Sequence, residues 1–185
     1  MFCAGTSPAT TARTADRALA RVRTETEAIG VSLNVEKTRT VTMTDRDATF
    51  TFLGFEFRWI CSRKSSIWYP CITPRPKKVT ELLHKIRDVL RHGRHLSMTL
   101  ATATINPIIR GWVNYFRVGN SSRAFGKVKY HVERKVRRFA AKKRQRKGFG
   151  WKRWSSKTVY EKWGLFADYR LAYAGAKARA NPTET

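Results

Sequence analysis

The apolar positions of the chain change their spacing near residue 75. Before it, short stretches alternate apolar and polar residues, which is typical of strands with one buried face. After it, apolar residues recur every three or four positions, which is typical of amphipathic helices. The pattern predicts an α+β fold in which one helix and a small antiparallel sheet precede a helical bundle.

The first part is predicted to begin with an amphipathic helix over residues 13–29, with Gly30 as its left-handed C-cap. Alternating segments rich in β-branched and aromatic residues then predict four strands, at residues 31–35, 38–44, 50–59 and 66–72. Gly54 inside the third strand indicates a bulge or a close backbone approach. The fourth strand is expected at a sheet edge, because Pro70 has no backbone N–H to donate.

The second part is predicted to contain helices over residues 79–93, 97–104, 106–116, 125–139 and 159–180. Ser97 and Asn106 are expected to cap the second and third helices, since their side chains can accept a hydrogen bond from a free backbone N–H. Pro107 suits the first helical position, where a missing donor costs nothing. Gly111, inside the third helix, is expected to let a backbone or a ligand approach closely. The short links imply a compact bundle.

Charge is the strongest global feature of the composition, at a net +25. Residues 1–60 carry a net charge of +1, whereas residues 61–185 carry +24. Between residues 123 and 153 there are 14 Lys and Arg and a single acid, Glu133, although a solvated helix normally mixes both signs. This density of cations favours binding to phosphates with release of counterions. Charge alone does not distinguish RNA from DNA.

Three aromatic residues lie among these cations: Phe149, Trp151 and Trp154. Aromatic rings interleaved with cations can stack on unpaired bases while the cations follow the nucleic-acid backbone. Packing of the same rings against the bundle is the alternative interpretation.

Cysteine usage and hydropathy suggest an intracellular protein. Cys3, Cys61 and Cys71 form no CxxC pair, and their odd number argues against a disulfide framework. A reducing, cytoplasmic location is therefore expected. The four histidines do not lie at zinc-ligand spacing. No apolar run approaches about 18 residues and no secretory signal opens the chain, so no membrane partner is expected.

Three motifs carry a resemblance to a known family: IGVSLNVEKTRTV at 29–41, FLGFEF at 52–57 and INPIIRGWVNYFR at 105–117. From about Arg13 to Trp154 the chain resembles the C-terminal part of group II intron reverse transcriptases, the intron-encoded maturases. The first two motifs look like palm segments that occur in many reverse transcriptases. The third motif is highly specific and looks like the maturase-specific domain, or thumb (domain X).

The resemblance implies five segments: a disordered or remnant strand at 1–12, a palm remnant at 13–72, a linker at 73–76, a maturase-specific helical thumb at 77–154 and a C-terminal extension at 155–185. Polymerases of the family hold two Mg²⁺ ions on aspartates of a Tyr-Ala-Asp-Asp turn and of an earlier strand. The chain begins after the place of that turn. The expectation is a truncated protein without catalytic or metal-binding residues and without a cofactor, Mg²⁺ belonging to full-length relatives only.

The function implied by the resemblance is RNA binding that assists splicing. Group II intron RNA is the implied partner, with DNA at the target site and a separately encoded N-terminal half as further candidates. The candidate RNA-binding residues are Lys37, Arg110, Trp112, Arg117, Arg123, Lys127, Lys129, Arg134, Arg137, Arg138, Lys142, Lys143, Arg144, Arg146, Lys147 and Trp151. Two alternatives stay open: the C-terminal half of a split RNA-directed DNA polymerase, and a general basic nucleic-acid-binding protein.

Overall fold

A computed structural model describes residues 8–34, 38, 49–63 and 66–172, with side chains from residue 13 onward. Its helices and strands are α1 (Pro8–Ala28), β1 (Thr49–Phe52), β2 (Phe55–Cys61), β3 (Trp68–Pro74), α2 (Pro76–His92), α3 (Met98–Tyr115), α4 (Ser122–Lys143) and a π-helical turn (Thr158–Lys162). The strands form one antiparallel sheet in the order β1-β2-β3. The α+β class predicted from the sequence is confirmed.

The chain divides into two compact units, and the division passes through the strands. One unit comprises residues 1–50 and 58–70, and the other comprises residues 51–57 and 71–185. In the first unit, α1 confirms the predicted helix. The Gly30 backbone, at φ 76°, donates to the Glu27 carbonyl at 3.0 Å and confirms the predicted C-cap.

Of the next two predicted strands, the first is described over residues 31–34 and the second only at Thr38. Residues 31–34 form no strand, so the prediction for 31–35 is wrong over its described part. Of the segment 38–44 only Thr38 is described, and its backbone N–H donates to the Asn34 carbonyl at 3.0 Å. The rest of the segment 38–44 lies outside the described residues.

The single strand predicted over residues 50–59 is wrong, because the chain reverses in its middle. Leu53 and Gly54 have φ values of 48° and 80°. Two consecutive left-handed residues are what the two-residue turn of a β-hairpin requires, and that turn separates β1 from β2. The prediction of an edge strand is confirmed, since β3 contains Pro70 and lies at the end of the sheet.

The second unit has a core formed by α2, α3 and α4. Helix α2 packs against both α3 and α4. Fully buried apolar side chains come from all three helices: Ile86, Ile105, Ile109, Val113, Val128, Val132 and Val136. Helix α2 ends before Gly93, as the sequence predicts, but it begins at Pro76, three residues before the predicted start. The Ser97 hydroxyl accepts a 3.2 Å bond from the Leu100 N–H, which confirms Ser97 as the cap of α3.

Helix α3 runs without a break through Pro107, so the prediction that Asn106 and Pro107 open a separate helix is wrong. A proline inside a helix costs about 3 kcal/mol. However, the buried stripe of Ile105, Ile109 and Val113 continues across it, and each such side chain contributes about 1.5–3 kcal/mol when buried. Burial of the stripe therefore outweighs the cost of the proline.

The side chain of Asn106 binds a distant segment instead of capping a helix. Its Nδ2 donates to the Gly164 carbonyl at 2.7 Å, and its Oδ1 accepts from the Phe166 N–H at 2.9 Å. The helix predicted over 159–180 is correspondingly wrong over residues 163–171, which form no helix. Residues 173–185 lie outside the description. Among the described residues, no helix is long and apolar enough to span a membrane.

Candidate nucleic-acid interface

A cationic groove lies between α2 and α4. Along α4, Arg134, Arg138 and Lys142 are spaced four residues apart and therefore share one side of the helix. On α2, Arg87 and Arg91 have the same spacing. Because the two helices pack against each other, these two rows of cations line the same cavity.

The groove has a volume of about 830 Å³. Eight Lys and Arg side chains line it: Arg87, Arg91, Arg94, Arg134, Lys135, Arg138, Lys142 and Lys143. In the part of the chain that the structure describes, no Asp or Glu is among the lining residues. The nearby Asp88 carboxylate pairs with Arg87 at 3.4 Å. Like charges at this density repel one another, and a polyanion in the groove would relieve that repulsion.

Phe149 forms an aromatic wall of the groove. The guanidinium carbon of Arg134 lies 4.2 Å from its ring centroid, and that of Arg138 lies 5.4 Å away. Cation–π contacts of this kind orient a guanidinium without consuming its N–H donors. The donors of both arginines therefore remain suited to phosphate oxygens.

The titratable groups of the groove respond to this crowding of charge. Burial, followed by repulsion from Arg87, lowers the pKa of the Lys135 ammonium. Burial, followed by the charges of Lys127, Arg134 and Lys135, lowers the pKa of the His131 imidazole. In both groups the free protein disfavours the positive form, and an anionic ligand would favour it again.

Arg137, one residue before Arg138, belongs to the core, with an exposed fraction of 1%. Its Nη1 donates to Glu133 at 2.5 Å, its Nε to the Trp154 carbonyl at 3.0 Å and its Nη2 to the Ser156 hydroxyl at 3.2 Å. The second oxygen of Glu133 accepts a hydrogen bond from the Tyr160 hydroxyl. Burial, followed by that bond, raises the pKa of Tyr160. All groups of this network are paired, as buried charges require.

The loop after α4 sends two aromatic rings to different places. Phe149 enters the groove, whereas Trp151 lies against Tyr130, with ring centroids 5.7 Å apart and ring planes 16° apart. Gly150 between them has φ 69°, and a Cβ there would lie 2.2 Å from Cζ3 of Trp154. Only glycine fits this position, and it sets the direction in which Trp151 leaves the loop.

The remaining candidate residues lie elsewhere. Arg110 is exposed on α3, 6.0 Å from the Phe166 ring centroid. Arg117 pairs with Asp168 at 2.5 Å, and that hydrogen bond lowers the pKa of the Asp168 carboxyl. Trp112 is half-buried, and its Nε1 has no acceptor among the described residues. Other candidates are exposed outside the groove: Arg123, Lys127, Lys129, Arg144, Arg146 and Lys147. Lys37 lies outside the described residues.

Four groove cations were missed by sequence reasoning: Arg87, Arg91, Arg94 and Lys135. The signal for the first two was the four-residue spacing of arginines on the polar side of α2. Helix α2 also carries Glu81 and Asp88 and is therefore less basic than residues 123–153. A search for dense positive charge selected residues 123–153 and passed over α2.

Residues 79–160 match the family model of the group II intron, maturase-specific domain. This part of the chain is a maturase-type region. It contains every residue that lines the groove, from Arg87 to Phe149. No curated protein matches the chain. The resemblance of residues 29–57 to a reverse transcriptase palm lies outside the match and stays a prediction.

Proposed function

We propose that the chain binds group II intron RNA in the groove between α2 and α4 and thereby assists splicing of the intron. The observation that carries the proposal is the convergence of eight cationic side chains on one cavity inside the maturase-type region. Phosphates supply most of the affinity of proteins for nucleic acids, and Lys and Arg are the residues that neutralise them.

The cations of the groove are held on rigid elements. Those of α2 and α4 project from two helices whose opposite sides are buried in a common core. A phosphate backbone in the groove would be contacted from both helices at little cost in backbone ordering, unlike a basic tail that must fold on binding. Rigid placement favours a ligand of defined shape, such as a folded RNA, over any polyanion.

Assistance to splicing follows from binding in this proposal. A protein that binds the active fold of an RNA more tightly than other folds shifts the population toward the active fold. The chemistry of splicing remains with the RNA, and the protein contributes positive charge where RNA strands must approach one another.

The first test compares the purified chain on a folded group II intron RNA and on a duplex DNA of equal length, across a salt series. Preference for the intron that persists at moderate salt is expected. Arg134→Ala combined with Arg138→Ala should weaken intron binding and reduce the slope of log affinity against log salt by about two. Arg17→Ala with Arg23→Ala on α1 is the control, since it removes the same charge from exposed positions.

Equal affinity for both nucleic acids, lost in parallel as salt rises, would overturn intron recognition and leave a general polycation. Equal effects of the groove variant and the α1 variant would exclude the groove as the binding site. Splicing is measured separately, as the splicing rate of the same intron at a magnesium concentration too low for unaided splicing. The wild-type chain should raise that rate, and the groove variant should not.

A further inference from the structure

We infer that Tyr130 and Trp151 form a platform on which one unpaired RNA base stacks, at a site separate from the cationic groove. The inference rests on the proposed function, because it assumes that RNA is the ligand. It specifies which feature of the RNA is recognised. The groove contacts phosphates, which every strand carries, whereas the platform requires a base that is free of a pairing partner.

The exposure of the two rings is the first observation. Tyr130 is 52% exposed and Trp151 is 42% exposed, although large aromatic side chains are usually buried. Their rings are nearly parallel and in contact. Stacked aromatic side chains that remain open to solvent are the means by which proteins hold unpaired bases.

The support behind Trp151 is the second observation. The guanidinium carbon of Arg137 lies 4.2 Å from the Trp151 ring centroid. That guanidinium is itself held by Glu133, by the Trp154 carbonyl and by Ser156. The indole is therefore held in place by a rigid charged group as well as by the Tyr130 ring, so a base that stacks on the pair does not have to immobilise it.

The cavity beside the rings is the third observation. It measures about 290 Å³ and is lined by Gly126, Lys129, Tyr130, Glu133 and Trp151. A Cβ at Gly126 would meet no atom within 4 Å, so packing does not require glycine there. Glycine inside a helix costs about 1 kcal/mol relative to alanine. The open space at Gly126 is consistent with room for a ligand.

The charges around the cavity favour a nucleotide over an apolar protein segment. Lys129 lines the cavity, and the exposed Lys127 and Lys152 are close to it in sequence. The carboxylate of Glu133 does not oppose an anion, because it is already paired with Arg137 and Tyr160. A base on the platform would place its phosphate near Lys129.

The platform and the groove are close enough to serve one strand. Tyr130 and Arg134 are four residues apart on α4, so their side chains are neighbours on the helix surface. A strand that leaves the groove at Arg134 can therefore place its next unpaired base on Tyr130.

The test uses three RNA probes of equal length: an oligouridylate, the same backbone without bases, and a fully paired duplex. Trp151→Leu removes the indole on which the Tyr130 ring stacks but keeps an apolar cover on Arg137. Gly126→Leu fills the cavity and leaves both rings in place, and Gly126→Ala is its matched control. Trp151→Leu and Gly126→Leu should each weaken oligouridylate binding at least about fivefold, the lower end of one lost base stack. Binding of the abasic strand and of the duplex should not change.

Wild-type affinity of both leucine variants for oligouridylate would overturn the platform. Equal losses on all three probes would also overturn it, since stacking cannot act on a strand without bases. If Trp151→Leu unfolds, Gly126→Leu alone tests the platform. It is expected to fold because a Cβ at residue 126 projects into open space. The groove variant separates this inference from the proposed function: it should weaken all three probes whether or not the platform exists.

Discussion

Arg137 and Arg138 are neighbours in the sequence of α4, but they lie in opposite environments. Arg137 is 1% exposed, is hydrogen-bonded to Glu133, the Trp154 carbonyl and Ser156, and lies over the ring of Trp151. Arg138 is exposed in the cationic groove, where it lies over the ring of Phe149. A helix turns by about 100° per residue, which is enough to separate a structural arginine from a ligand-binding one.

The comparison teaches that one residue type stabilises the fold on one side of α4 and costs stability on the other. The buried side pairs each charge and depends on every partner, so the loss of one leaves an uncompensated charge. The groove gathers cations in excess of acids, and these cations repel one another and gain from a ligand. Variants on the buried side of α4 should affect folding, and variants in the groove should affect binding.

The largest expected effect is on the buried side. Glu133→Ala removes the partner of Arg137 and of Tyr160, and it should lower the free energy of unfolding by about 3–5 kcal/mol. Urea denaturation measures the change. The matched control is Arg138→Ala, which should remain within about 0.5 kcal/mol of wild type because its side chain is exposed. A change below about 1 kcal/mol for Glu133→Ala would refute the structural role of the pair.

The next largest loss of stability is expected in the loop after α4, which directs Phe149 into the groove and Trp151 toward Tyr130. Gly150→Ala forces a left-handed residue other than glycine and a clash with Trp154, and it should cost roughly 2 kcal/mol or more. Gly148→Ala is the control, since φ at Gly148 is 89° but a Cβ there meets nothing within 4 Å. Thermal unfolding of both variants isolates the clash. Equal melting temperatures of the two variants would show that the Trp154 ring moves away from the new Cβ without a measurable loss of stability.

On the groove side, Arg91→Ala and Arg94→Ala test the cations of α2 and of the turn after it. Each should weaken intron RNA binding and lower the salt slope by about one, without a measurable loss of stability. Filter binding over a salt series gives the slope. Unchanged slopes in both variants would restrict the interface to α4.

The smallest expected effect is a pH dependence of binding through His131. Its pKa in the free protein is lowered by burial and by Lys127, Arg134 and Lys135. A phosphate in the groove favours the imidazolium, so the pKa rises on binding and a proton is taken up. RNA affinity should therefore increase as the pH falls below about 6.5, the ordinary value for histidine. His131→Gln should remove that increase.

Folding has the opposite dependence on the same group. Because the folded state disfavours protonated His131, this residue contributes its full stability above the unfolded pKa. That stability is lost as the pH falls from the unfolded pKa to the lowered folded one. Weaker binding at low pH in the wild type, with the fold intact, would mean that His131 does not face the ligand.

Periodicity located most helices of the second unit, whereas the turns were harder to predict. The end of α2 before Gly93 and the cap at Ser97 follow from local chemistry, and they are confirmed. The hairpin turn at Leu53 and Gly54 was missed because leucine rarely adopts a left-handed conformation. The continuity of α3 was missed because local rules treat Pro107 as a start, whereas the buried stripe on either side of it decides the outcome.

The sequence predicted a nucleic-acid-binding surface but not all of the residues that form it. The density of Lys and Arg over residues 123–153 indicated a nucleic-acid surface, and five members of that stretch line the groove: Arg134, Lys135, Arg138, Lys142 and Lys143. Arg87 and Arg91 come from a helix about 45 residues earlier, and their approach depends on how α2 packs on α4. Long-range packing of this kind leaves no local signal in the chain.

By itself, the sequence determined the amphipathic helices, the excess of positive charge and the maturase-type motif, because these depend on residue type and spacing along one element. Only the tertiary structure decided which arginines are buried, that α3 continues through a proline, and that two helices share one groove. The physical reason is that burial and pairing arise between elements. A side chain's energy therefore depends on neighbours that its own segment does not contain.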